Sequence, residues 1–288
     1  MMIRIENDFF LAELKPEGAE LTRLYDKVHA REMLWYADPA VWKRHSPVLF
    51  PVVGRCKNYE MRYQGKTYHM PQHGFCQDAL FQVESASETH VTFSLSASDE
   101  TRAIYPFEFT FFVSYHLDGE KLIFSYLIRN EDQEDPMYFS LGGHPGFLYD
   151  GPVSDQIIEF SEKETLDRVT LGPTFQFSRE VEKDYIKEGA PIHLDEHIYD
   201  HDALVFHNFK SKEVAVFNPK TGRGVKVNLA GFPYVGFWSM PGACYTCVEP
   251  WFGLADYEDF EGELPEKDGI EKIEKGGEFK ASFSVKAM

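Results

Sequence analysis

Cysteine is scarce in this 288-residue chain, which carries only Cys56, Cys76, Cys244 and Cys247. So few and so scattered, they exclude the disulfide framework of a small secreted fold. Basic residues are also short: 29 Lys and Arg stand against 47 Asp and Glu, a formal charge of −18. Nucleic-acid backbones and anionic membrane surfaces are bound by clustered cations, so this balance argues against both partners. It leaves a neutral small molecule unopposed. No apolar run approaches the roughly 20 residues of a membrane-crossing helix. The opening residues, MMIRIENDFFLAELKPEG, are interrupted early by charge and lack the apolar stretch of a secretory leader, so a cytoplasmic protein is expected. Sustained helical periodicity, fixed-period repeats and low-complexity tracts are missing too. The best helical signal is a single turn at residues 38–42, with Asp38 as its cap and Pro39 at its first position.

Aromatics, by contrast, are abundant, with 25 Phe and 15 Tyr, and they favour pleated, half-buried surfaces. Residues 279–286 put Phe279, Ala281, Phe283 and Val285 on one face and Lys280, Ser282, Ser284 and Lys286 on the other. That is the pattern of a half-buried antiparallel strand. Strands are also expected at 90–97, 107–117, 120–130, 213–218 and 224–229, with a tight hairpin at Asp118-Gly119 and a turn at 219–222. The acidic stretch 256–274 reads as an exposed loop or arm. The expectation is an all-β fold of many antiparallel strands, with residues 1–288 as a single domain.

Four segments mix an ionisable residue into Gly, Pro and aromatic surroundings: 51–55, 71–75, 142–146 and 248–251. In a β fold such runs sit at strand ends or bends, where backbone approaches a ligand closely. His144, between Gly-Gly and Pro-Gly, has restricted local backbone choices that help hold one imidazole orientation. Glu249 is flanked by Val248, Pro250 and Trp251, an apolar setting that raises a carboxyl toward the working range of a general base. Each residue also has a plain structural reading. His144 and His73 fit ordinary turns, Glu249 fits a buried arginine's partner, and Arg55 fits a salt-bridge donor. Trp35 and Trp238 read as core, and Trp251 as core or sugar platform in equal measure.

Taken together, the segments resemble the aldose 1-epimerase family (galactose mutarotase-like proteins) over almost the whole chain. The resemblance runs through Gly18-Ala-Glu-Leu21, Leu34-Trp35, Trp42, Pro47 to Arg55, His73-Gly-Phe75, Gly143 to Phe147, Asp202 to Phe206, Trp238 to Gly242 and Glu249 to Gly253. The branch is the one typified by a lactose-operon accessory protein. The resemblance implies a β-supersandwich and a cofactor-free isomerase acting at C1 of a sugar. Glu249 corresponds to the general base, His144 to the general acid, Arg55 and His73 to sugar-contacting residues, and Asp202 to an aspartate that binds a sugar hydroxyl. The chemistry suits these types, because ring opening takes a proton from the C1 hydroxyl and gives one to the ring oxygen. No metal or cofactor is expected, the partner is a small sugar, and the protein is a monomer or homodimer.

Gln77 departs from the pattern, since many relatives, phosphate-specific epimerases among them, have arginine there. This favours a free hexose over a hexose 6-phosphate, with Arg102 the remaining cation to enter from another loop. A sugar-binding or sensing protein without turnover is the reading from another class. His193-x-x-Glu196-His197 has the spacing of an inverted zinc-protease motif but too little room for the helix it needs. Cys244-x-x-Cys247 lacks a second pair and reads as structural.

Overall fold

In the computed structural model, residues 2–229 and 231–288 are described, and nearly all their regular structure is antiparallel strand. The alternation seen in the sequence sets the framework. Strand Phe109–Asp118 buries Phe109, Phe111, Val113, Tyr115 and Leu117. Its partner Lys121–Asn130 buries Leu122, Phe124, Tyr126 and Ile128 in the matching register, Phe111 facing Ile128. Asp118 pairs with Lys121, and Gly119 takes φ +54 between them, a left-handed conformation that glycine adopts without steric cost. This hairpin lies inside a nine-stranded sheet that also contains Glu278–Ala287, Glu213–Asn218 and Arg223–Asn228.

A second large sheet runs in the order Phe177–Ile186, Leu166–Leu171, Leu204–His207, Tyr234–Trp238, Tyr245–Phe252, Leu141–Gly143 and Val48–Leu49. Short strand Gly146–Leu148 also pairs with Tyr245–Phe252. The two sheets pack face to face through aromatic rings. Phe160 meets Phe206 at 5.8 Å between centroids, and Phe252 meets Phe279 at 5.0 Å. Apolar burial of this kind stabilises by roughly 1.5–3 kcal/mol per large side chain. Two packed antiparallel sheets bear out the all-β expectation and match the β-supersandwich that the family resemblance implies. No helix among the described residues is long and apolar enough to cross a membrane.

Three local readings are refined. The one-turn helix Asp99–Arg102 is closed by a capping box between Ser98 and Thr101, and has no buried residue to announce it in the sequence. The expected turn at 38–42 is present, with the Val41 and Trp42 amides donating to the Asp38 carbonyl. The acidic stretch 256–274 is not simply an exposed arm. Asp256, Leu264, Lys267 and Ile273 are buried, and Glu271–Ile273 pairs with Met137–Phe139. Four inward side chains among many surface carboxylates do not register in composition.

A four-stranded N-terminal sheet holds Glu20, which is 2% exposed yet charged. Its carboxylate accepts the amides of His45 (2.7 Å) and Ser46 (3.1 Å), and the Lys15 ammonium lies 2.6 Å away. Burial works to raise its pKa. Interactions with the His45 side chain and Lys15, and the His45 amide, outweigh this and bring it from 4.5 to about 2. Folding stability from this group is therefore complete above pH 4.5 and is lost as pH falls through about 2. At about 1.4 kcal/mol per pH unit the effect is on the order of 3 kcal/mol. Denaturant titrations from pH 7 to pH 2 are expected to show a steeper acid loss for wild type than for Glu20→Gln, and parallel curves would refute this.

Candidate active site

Strand Tyr245–Phe252 is buried along both faces except at its last residue. Val248 joins the main core, while Cys247 and Trp251 pack in separate clusters on the other face, which they share with Glu249 by alternation. Across from it, Gly142 pairs with Trp251 and Gly146 with Cys247. Continuing that register puts His144 opposite Glu249. His144-Pro145 interrupts the ladder there, because proline has no amide hydrogen to contribute. The Pro145 carbonyl still accepts the Val248 amide at 3.1 Å, and the His144 amide donates to the Pro47 carbonyl at 3.1 Å.

This break aims the imidazole at the carboxyl. His144 Nε2 lies 3.2 Å from Glu249 Oε1, with 6% and 1% of each residue exposed. Burial, reinforced by the Asp202 charge, pushes Glu249 well above the ordinary carboxylate range. The Trp251 indole works against that, although its Nε1 makes no hydrogen bond in the structure. Burial, with the Arg44 guanidinium nearby, holds His144 well below the ordinary histidine range. Both shifts disfavour charge, so burial favours the neutral acid and the neutral imidazole.

The pair forms part of the floor of a cavity of about 520 Å³, within the size range of small-molecule sites. All five residues singled out from the sequence line it: Arg55, His73, His144, Asp202 and Glu249. His73 has φ +64, a costly conformation outside glycine. Its amide donates to the Gly54 carbonyl at 2.7 Å, and its Nδ1 accepts the Gly54 amide at 3.1 Å. That acceptor role places the ring proton on Nε2. Burial, then Arg44 and Arg55, lowers its pKa to about 4, so His73 is a neutral donor. Arg55 donates to Gln72 Oε1 at 3.0 Å, and its guanidinium sits between the rings of Tyr59 (4.9 Å) and Phe175 (4.6 Å). Asp202, at φ +70, accepts the Ala203 amide at 2.7 Å, and burial raises its pKa.

Several lining residues were missed in the sequence. Arg44 lines the cavity, donates to the Gln77 carbonyl at 3.1 Å and pairs with the Asp78 carboxylate at 3.0 Å. Its position three residues before Pro47 was the available signal. Trp42 and Trp238 frame the His144 ring, at 5.0 and 5.7 Å between centroids, so Trp238 serves the cavity as well as packing. Trp35 is fully buried core. Arg102 is not among the lining residues and pairs on the surface with Asp99 and Glu108. His193 ends an extended strand, and His197 lies on a turn 2.9 Å from Asp200, so no helix sets the two on one face. Cys56, Cys76, Cys244 and Cys247 are free thiols, and Cys244 is exposed, not structural core.

The family model described as aldose 1-epimerase matches residues 1–281. Protein LacX of Lactococcus lactis subsp. lactis, in plasmid and chromosomal forms, is 28% identical over 296 residues, covering 99% of both chains. A galactose mutarotase related enzyme from Lactobacillus acidophilus superposes with TM-score 0.93 at 34% identity, covering 100% of this chain and 97% of that one. A galactose mutarotase-like protein from Lactobacillus casei gives 0.94 at 30%, with full coverage of both.

Two glycines seat Trp251 beside the pair. A Cβ on Gly142 would lie 2.7 Å from Trp251 Cδ1, and one on Gly236 would lie 2.7 Å from the far edge of the same indole. Gly236→Ala is therefore expected to displace the indole and cost about 1–3 kcal/mol. Urea unfolding with tryptophan fluorescence checks this, and an unchanged midpoint and spectrum would show the seat to be loose.

Proposed function

The chain belongs to the aldose 1-epimerase family, and from that premise we propose that it is an isomerase interconverting the α and β anomers of a free hexose, with His144 and Glu249 as its acid and base. The 3.2 Å contact between Nε2 and Oε1 on the cavity floor carries the reading. In the reactive form the Glu249 carboxyl proton has moved to His144, which leaves Glu249 a carboxylate. Glu249 takes the proton of the C1 hydroxyl, His144 gives its proton to the ring oxygen, and the bond between C1 and that oxygen breaks. The open-chain aldehyde turns about its C1–C2 bond, and the same two groups act in reverse to close the ring on the other face.

The environment favours this cycle. Ring opening converts carboxylate and imidazolium into neutral acid and neutral imidazole, which is the protonation burial prefers. The charged pair formed for reaction thus relaxes to the protonation that burial favours as the bond breaks. His73, with its proton on Nε2, and the Arg55 guanidinium supply fixed donors for hydroxyls and developing oxygen charge. Asp202 supplies an acceptor for a hydroxyl. No step consumes a cofactor or a second reactant.

Arg44 bears on a second substrate class, hexose 6-phosphates, because it adds a cation to the lining. Its charge is already met by Asp78, and Gln77 spends its side-chain amide on the carbonyls of Gln72 (2.9 Å) and Gly74 (3.3 Å). Free sugars remain the preferred substrate on these grounds.

Polarimetry on a panel of aldoses and hexose 6-phosphates provides the test. Wild type is expected to accelerate mutarotation of a free aldose, and Glu249→Gln and His144→Ala each to lower kcat by at least about 100-fold. Sugar affinity should change far less. Wild type that binds sugars without accelerating any would leave a binding protein, and a variant with full rate would remove that residue from the mechanism.

A further inference from the structure

One residue beside the proposed acid and base, Cys247, has no place in that chemistry. Cys247 lies two residues before Glu249 on the same strand and face, and it is wholly buried. A ligand atom from each of His144, Cys247 and Glu249 falls within 4.8 Å of the others. Two further polar atoms of this group, His144 Nδ1 and Glu249 Oε2, are buried without a hydrogen-bond partner. Buried polar atoms are normally satisfied, so the orphaned Glu249 oxygen beside a thiol and an imidazole has acceptor capacity that a bound ion can fill.

We propose that His144, Cys247 and Glu249 form a binding site for a divalent transition ion of the zinc type, and that an ion held there blocks the acid–base pair. Imidazole, thiolate and carboxylate together suit zinc, cobalt or cadmium and not magnesium or calcium, which take oxygen ligands. Three protein ligands with a fourth position open is the arrangement of an accessible zinc site. His144 and Glu249 line the cavity while Cys247 does not, so an ion enters from the cavity and the sulfur reaches it from behind. The fourth position then faces the cavity, where water completes the shell. Zinc bonds of roughly 2.0–2.3 Å put neighbouring ligand atoms roughly 3.5 Å apart. The three side chains therefore need only draw together by about an ångström. On binding, the Cys247 thiol proton and the Glu249 carboxyl proton leave to solvent, and the ion takes the place between Glu249 and His144. Binding itself rests on the cluster alone, whereas the block rests on the acid–base reading above.

Cobalt(II) titration of the wild-type protein, followed by its thiolate-to-metal absorption in the near ultraviolet, tests the site without substrate. The expected result is a saturable one-to-one band that zinc abolishes, that Cys247→Ser lacks, and that Cys244→Ser keeps. Loss of a first ligand should weaken zinc by at least about 10-fold, since even outer partners of metal ligands contribute that much. Zinc should inhibit wild-type mutarotation reversibly, with full recovery on chelation, and the zinc concentration for half-inhibition should rise by the same factor in Cys247→Ser. No band in wild type, or a band that survives Cys247→Ser, overturns the site, and the wild-type spectrum decides even if that variant misfolds. A band in a protein that accelerates no sugar upholds the site while sinking the acid–base reading. A band without inhibition overturns the block.

Discussion

The burial of two ionisable groups against one another at the centre of a β-sheet constrains much of what surrounds them. A lone carboxylate or imidazolium in this position would meet a large desolvation cost. Burial favours the neutral form of both His144 and Glu249, held 3.2 Å apart. That contact requires a strand buried on both faces for Glu249 and a break in the neighbouring ladder for His144. Pro145 supplies the break, and the flanking pairs Gly142–Trp251 and Gly146–Cys247 keep the register on either side of it. The same two strands also bring Cys247 beside the pair.

Around this floor, the cavity wall is made from segments with little regular structure, held by specific polar anchors. Glu20 accepts two successive amides at His45 and Ser46, fixing the chain between Arg44 and Pro47. Gly54 and His73 exchange two hydrogen bonds, tying the Arg55 segment to the His73 segment. Asp256 completes the set. Its amide donates to the Arg55 carbonyl at 3.1 Å, its carboxylate accepts the Lys57 amide at 2.8 Å, and it is paired with the buried Lys267. The acidic stretch 256–274 therefore holds Arg55 from behind. Side-chain-to-amide anchors of this kind give loops the rigidity that a binding wall requires, without strand pairing.

Electrostatics divides the molecule in two. The surface carries the excess of acid, whereas the cavity brings together Arg44, Arg55, His73, Asp202 and the His144–Glu249 pair. Arg44 is offset by Asp78, and Arg55 is spread between two aromatic faces. Such a lining presents many donors and acceptors with little uncompensated positive charge, which suits the neutral sugar proposed above better than a sugar phosphate.

Much was legible in the linear chain. Period-2 alternation located the long strands 109–118, 121–130 and 278–287, because one face of each is apolar and the other polar, and missed Phe177–Ile186, whose mostly exposed residues lack that alternation. Asp-Gly marked the hairpin because a two-residue loop demands left-handed backbone. Gly, Pro and aromatic punctuation flagged the segments of His73, His144 and Glu249, since close backbone approach leaves that signature. Other features belong to the folded state alone. The 245–252 strand is buried on both sides, so it shows no alternation, and only sheet register sets His144 against Glu249. Arg44 reaches the cavity through a loop fixed by Glu20, about 25 residues away, and Arg102 does not, because its own helix turn supplies nearer carboxylates. Local residue types thus determined which chemistry the chain carries. Long-range pairing and burial decided which groups meet and which protonation states they hold, because both depend on neighbours that sequence distance does not reveal.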